Sequence, residues 1–163
     1  MIMDLRPYKI NKKKFEDKDD VCQMISYISS ILQGSYHNQS MMRFGGINID
    51  YPEDLVSNPN NIANQFLALQ SSMGIEEARC KRIYTAIYPM DRDRYKGITM
   101  DVVYQWACIL SATYSAYQSV FAVCGNRKGF NVYFIWSNFS ENGTKMTKCF
   151  DPKLLERIVA NSS

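Results

Sequence analysis

A chain of 163 residues with 46% hydrophobic and 13% aromatic content can bury a sizeable core, which excludes a disordered chain and implies one domain over 1–163. Its 19 basic and 16 acidic residues leave a net charge of +3, too balanced to name nucleic acid as the partner unless the basic groups gather on one face. Five scattered cysteines, Cys22, Cys80, Cys108, Cys124 and Cys149, suit reduced thiols rather than a disulfide framework, and no apolar run approaches the roughly 18 residues of a membrane span, so a cytoplasmic protein without membrane contact is expected.

In chain order, residues 1–18 read as a polar leader in which Lys12, Lys13 and Lys14 precede Glu16, Asp17, Asp19 and Asp20. Asp19 or Asp20 then caps a helix with Val21, Met24, Ile25, Ile28, Ile31 and Leu32 on one stripe, stopped at Gly34. Tyr27 lies off that stripe, at the edge of the core. From Ser35 to Asn61 the helical period fails among turn residues and two prolines, leaving a long connection with a short strand over Ile47 to Tyr51. The single histidine, His37, falls here without the companions a metal site needs.

Asn60 and Asn61 cap a second amphipathic helix through Ile62, Phe66, Leu67, Leu69 and Met73 to Gly74, followed by a solvated turn in which Glu76 and Glu77 face Arg79 and Lys81. Arg82 to Tyr88 has the composition of a strand and ends at Pro89, and Met90 to Tyr95 alternates charge as a self-neutralising loop. Thr99 caps a core helix carrying Val102, Val103, Trp106, Ala107 and Leu110.

Ser119 to Cys124 and Phe130 to Ser137 are rich in β-branched and aromatic residues and flank Gly125-Asn126-Arg127-Lys128-Gly129. They form a β-hairpin with a basic tip, in which both glycines can take positive φ. Alternation gives the second strand one apolar face, Val132, Phe134 and Trp136, and one semi-polar face, Asn131, Tyr133 and Ile135, where a site can sit. A turn over Glu141 to Lys145 and a helix starting at Asp151-Pro152, with Leu154, Leu155, Ile158 and Val159 on its apolar face, complete an α+β fold of helices packed on an antiparallel sheet centred on the hairpin.

Complete catalytic motifs are missing from the sequence. Gly129 precedes Phe130 and not Lys-Ser or Lys-Thr, so the tip is no phosphate-binding loop, and one histidine leaves little for a Ser-His-Asp or Cys-His nucleophile. Tyr114, Tyr117 and Tyr133 with Arg127 and Lys128 could form a stacking surface for a single strand, or be tyrosines at the edge of a core.

The order FAVCGN, FNVYFIWS, SENGTK resembles the relaxase, or mobilisation nuclease, family of mobile elements such as plasmids. Its pattern there runs a-v-H-x-D, then l-H-x-H-f-v-v-N, then T-G-K-K. Upstream, ISYISS around Tyr27 is similar to the family segment that carries the tyrosine nucleophile, GGINID to a g-x-N-C segment and RIYTAIY to a strand that often carries histidine where Thr85 stands. The resemblance implies a relaxase-like fold over about residues 21–145, and DNA, single-stranded or as an origin hairpin, as the partner. Cys124, Asn126, Asn131 and Tyr133 stand at the metal-binding positions, and Ser137 at the asparagine. Asparagine and tyrosine replace imidazole poorly on a divalent metal, so the expectation is a degenerate member without nicking, needing no cofactor, with Mg²⁺ or Mn²⁺ relevant only where nuclease activity survives. DNA contact is then expected from Tyr27, Arg127, Lys128, Asn131 and Tyr133, with Gly125 and Gly129 shaping the turn. A regulator that reuses the scaffold to bind a protein, including another mobilisation protein, is the other class.

Overall fold

The computed structural model describes residues 18–36, 42–75 and 81–162. Most of the polar leader with its lysine triplet, His37, Cys80 and the Glu76–Arg79 pairing lie outside the described residues. Ten elements follow in order: α1 (Lys18–Tyr36), β1 (Met42–Ile47), α2 (Asp54–Ser57), α3 (Pro59–Ser72), β2 (Ile83–Asp91), α4 (Met100–Thr113), β3 (Ser119–Asn126), β4 (Gly129–Ser137), α5 (Met146–Cys149) and α6 (Leu154–Asn161). The strands form one antiparallel sheet in the order β1-β3-β4-β2, which makes the fold α+β as expected.

Both faces of that sheet are covered, which corrects the reading of a semi-polar face left for a site. Strand alternation sends Phe121, Val123, Val132, Phe134 and Trp136 into one apolar cluster with α4 and α6, through Trp106, Leu110, Leu155 and Ile158. It sends Val120, Ala122, Cys124, Tyr133 and Ile135 into a second cluster with α1, α2 and α3, through Met24, Ile28, Leu55 and Phe66. Within the first cluster the Phe134 and Trp136 rings stack at 4.5 Å between centroids, and Tyr88 meets Phe134 edge-on at 6.1 Å.

The predicted helices exist, with shifted ends. In α1 the stripe of Val21, Met24, Ile25, Ile28 and Leu32 is buried, but the helix is already formed at Lys18 and passes Gly34 without stopping. Asp20 is therefore a buried residue of the first turn and not a cap, and Asp19 is likewise inside the helix. α3 starts one turn earlier than expected because Pro59, whose missing N–H costs nothing at a first turn, follows the N-cap Asn58. It ends as predicted at Gly74, whose φ of +80° lets Ile75 N donate to the Gln70 carbonyl at 3.0 Å. Met73 is only half-buried, outside both clusters. Thr99 caps α4 as expected, its hydroxyl accepting from Val102 N at 3.3 Å. α6 begins at Leu154, after Asp151 accepts from Lys153 N at 2.9 Å, and buries Leu155 and Ile158.

The 35–61 connection is not a plain loop. It holds β1 and α2, and the strand lies before the predicted Ile47–Tyr51 position because Asn48 and Tyr51 both adopt φ of +55°, which ends pairing at Ile47. Gly45 is dictated by packing: a Cβ there would fall 2.5 Å from the Phe121 ring. Pro89 does not stop β2, which continues to Asp91. Proline survives because β2 is an edge strand, and alternation turns the position that lacks an N–H away from β4. On the other edge, the Tyr104 hydroxyl donates to the Phe44 carbonyl at 3.2 Å with Arg43 stacked on its ring at 3.9 Å.

Candidate functional site

The hairpin tip is built by two residues, Arg127 and Lys128, between the paired Asn126 and Gly129. Asn126 Oδ1 accepts from Lys128 N at 2.8 Å and Gly129 N at 2.9 Å, folding the turn back on its own side chain. Gly129 has a φ of +153°, and a Cβ on it would sit 2.2 Å from the Met90 carbonyl, because β2 runs alongside. Gly125 is different from the expectation: it has no positive φ and is a strand residue opposite Phe130, so only one of the two glycines shapes the turn.

β2 continues past Pro89, so its end forms a wall beside the tip. Asp91 pairs with Gly129, Arg92 N donates to the Lys128 carbonyl at 2.8 Å, and the Arg92 guanidinium reaches the Arg127 carbonyl at 3.4 Å. The 90–95 segment is thus partly strand and is not neutralised within itself: Arg94 pairs with Glu156 on α6 at 3.2 Å. Between the wall and the tip lies an open depression of about 560 Å³ lined by Pro89, Asp91, Asn126, Arg127, Lys128 and Asn131.

Register explains which expected residues meet. Met42, Cys124, Asn131 and Pro89 form one row across the sheet, and Phe44, Ala122, Tyr133 and Ile87 form the next. Asn126, Cys124, Asn131 and Tyr133 therefore share a face at its tip end. Only Asn126 and Asn131 open to the depression; Cys124 is 3% and Tyr133 6% exposed, both inside the cluster under α1 and α3. Burial pushes the Cys124 thiol up to about 11. Burial, with Cys124 adding, pushes the Tyr133 hydroxyl up to about 12 against the opposing effect of a hydrogen bond with Asn131.

These positions do not fit a divalent cation. Its ligands must give up their protons, and both the thiol and the phenol stay neutral at pH 7. Among the described residues no three His, Cys, Asp or Glu side chains gather as a metal cluster. Thr85 is buried a full row further in, opposite Ile135, with the Ile87–Tyr133 pair between it and the Asn131 row. Ser137 is also buried, at the far end of β4.

Of the five residues expected to contact DNA, Arg127, Lys128 and Asn131 meet in one place. Tyr27 is half-buried on α1 against the second cluster and lines no part of the depression, and Tyr133 packs beneath it. Tyr114 and Tyr117 precede the start of β3, at the opposite end of the sheet from the tip, where Tyr114 stacks on Phe150 at 5.7 Å. Ending the strand at Pro89 hid Asp91 and Arg92, and no spacing signal in the sequence reveals them. Among the described residues no helix is long and apolar enough to cross a membrane. No protein-family profile, curated protein or solved structure matches this chain.

Proposed function

We propose that this chain is a noncatalytic, relaxase-like protein of a mobile genetic element, working in the cytoplasm, that holds DNA by its sugar-phosphate backbone at the hairpin tip. One observation carries this reading: Arg127, Lys128 and Asn131, drawn from the turn and β4, line one open depression with Arg92 beside it. The resemblance of FAVCGN and FNVYFIWS to relaxase strands supplies the family, and the neutral donors at the metal positions supply the loss of chemistry.

The shape restricts how DNA is held. Because β2 pairs with β4 out to Asp91 and Gly129, the hairpin does not project from the sheet and has no free ribbon to enter a groove. The contacts of Arg127 and Lys128 are with phosphates, which orient a strand and do not themselves read its sequence.

The test is binding of the purified chain to single-stranded and hairpin DNA across a salt series, with Mg²⁺ or Mn²⁺ present and products run on a denaturing gel. Affinity is expected to fall steeply with salt and no cleavage to occur. Arg127→Ala with Lys128→Ala should flatten the log-log salt slope by about 0.7 for each single-strand phosphate that is no longer neutralised. An unchanged isotherm in that double variant would remove the tip from the interface, and metal-dependent nicking would restore an enzyme.

A protein-binding regulator is the second reading, and Tyr51 favours it. That side chain is 68% exposed in a left-handed conformation, on a loop held by Gln65, which bonds both Asp50 N at 2.7 Å and Asp50 O at 2.9 Å. The loop follows Ile47, which pairs with Ser119 at the end of the sheet away from the tip. Absence of DNA binding in low salt would favour this reading.

A further inference from the structure

We propose, resting on the DNA-binding reading above, that the depression takes one unpaired nucleotide whose base carries an exocyclic amine, cytosine above all, with phosphate at Arg127 and Lys128 and the amine at Asp91 and Asn131. A phosphate alone does not account for the lining. Asp91, on the β2 wall, places a carboxylate in the depression it shares with the two cations of the tip, where it repels an anion but accepts from a donor. A ligand suited to both ends is negative at one end and hydrogen-donating at the other, as an amino nucleotide is.

The polar groups around the depression are already sorted by role. Asn126 Oδ1 is engaged by the turn N–H groups, which leaves its amide N–H groups to point a donor at phosphate. Asn131 is held by a hydrogen bond with the Tyr133 hydroxyl, and its amide lines the depression as a polar group able to meet a base. Tyr133 is therefore a positioning residue, buried under the site and outside its lining.

The Asp91 carboxylate distinguishes bases. Cytosine presents N4–H₂ where uracil and thymine present O4, and a second acceptor facing Asp91 and Asn131 is repelled. The base must be unpaired, because the tip lies flush with β2 and cannot follow a base edge into a duplex groove.

Fluorescence anisotropy with oligo(dC) and oligo(dU) of equal length, at neutral pH and fixed salt, tests this with phosphate charge and ring size held constant. Oligo(dC) is expected to bind about tenfold tighter. Asp91→Ala, at an exposed side chain, should bring the ratio close to one by tightening oligo(dU) and weakening oligo(dC). Tyr133→Phe should reduce the preference and leave the salt slope unchanged, because the same phosphates stay neutralised. Equal wild-type affinities, or a ratio that survives Asp91→Ala, overturn the proposal while the DNA-binding reading stands. Failure of both oligomers to bind in low salt overturns the two together.

Discussion

Cys124 shows how one residue's meaning depends on depth. In the relaxase resemblance it stands where a metal-binding histidine is expected; in the fold it is 3% exposed among Val120, Ala122 and Ile135. A thiol held at about 11, above its ordinary 9.0, stays neutral while the unfolded chain's thiol ionises. Its contribution to stability is complete below pH 9 and is lost as pH rises toward 11, and Tyr133 extends the same loss from 10 toward about 12. The melting temperature, followed by circular dichroism, should be insensitive to these two groups up to about pH 9 and fall above it. Cys124→Ala should shrink the alkaline fall; an identical alkaline profile in that variant would show that Cys124 is not desolvated. Spacing in the sequence could not tell this thiol from an exposed ligand.

Elements are joined by polar contacts that hydrophobic patterning does not report. Gln70 is fully buried on α3, where its Nε2 donates to the Arg82 carbonyl at 2.7 Å and Ser137 Oγ at 3.2 Å, tying the start of β2 and the end of β4 to the helix. Arg82, itself buried, donates to the Ile75 carbonyl at 2.7 Å just beyond that helix. Gln70→Leu keeps the volume and removes this donor while Asn138 N still donates to the Arg82 carbonyl at 3.0 Å, so the loss should be about 0.5–1.5 kcal/mol in urea denaturation. A loss of a few tenths would mean that the link is dispensable. In sequence Gln70 falls at helical spacing from Ile62 and Phe66, but its long-range partners are not visible there, whereas the Thr99 cap was legible because it acts on a residue three positions away.

Across the whole molecule the sheet is shared by two apolar clusters, and neighbouring residues of β3 such as Val120 and Phe121 enter opposite ones. Neither cluster can dissolve without exposing strands that the other needs, so unfolding should be a single transition. Both tryptophans, Trp106 and Trp136, report the α4–α6 side, while far-ultraviolet circular dichroism includes α1 and α3. The two signals should give coincident denaturation curves, and an earlier circular dichroism transition would show that the α1–α3 layer melts separately. The proposed DNA contact at the tip is independent of this, because Arg127 and Lys128 are exposed and outside both clusters.

Local signals in the chain were enough for the stripes of α1, α3 and α4, the β3–β4 hairpin, the turn at Gly143 and the α+β class. Each of these follows from side-chain period, a cap or a turn residue acting within a few positions. Long-range packing was needed to carry β2 beyond Pro89, to bring Asp91 to the hairpin tip, and to lay helices over the face holding Cys124 and Tyr133. The pairing of Asp91 with Gly129 joins residues separated by the whole of α4 and β3. Its register is set where Tyr88, Phe134 and Trp136 pack together, an energy that exists only once the sheet and its helices have assembled.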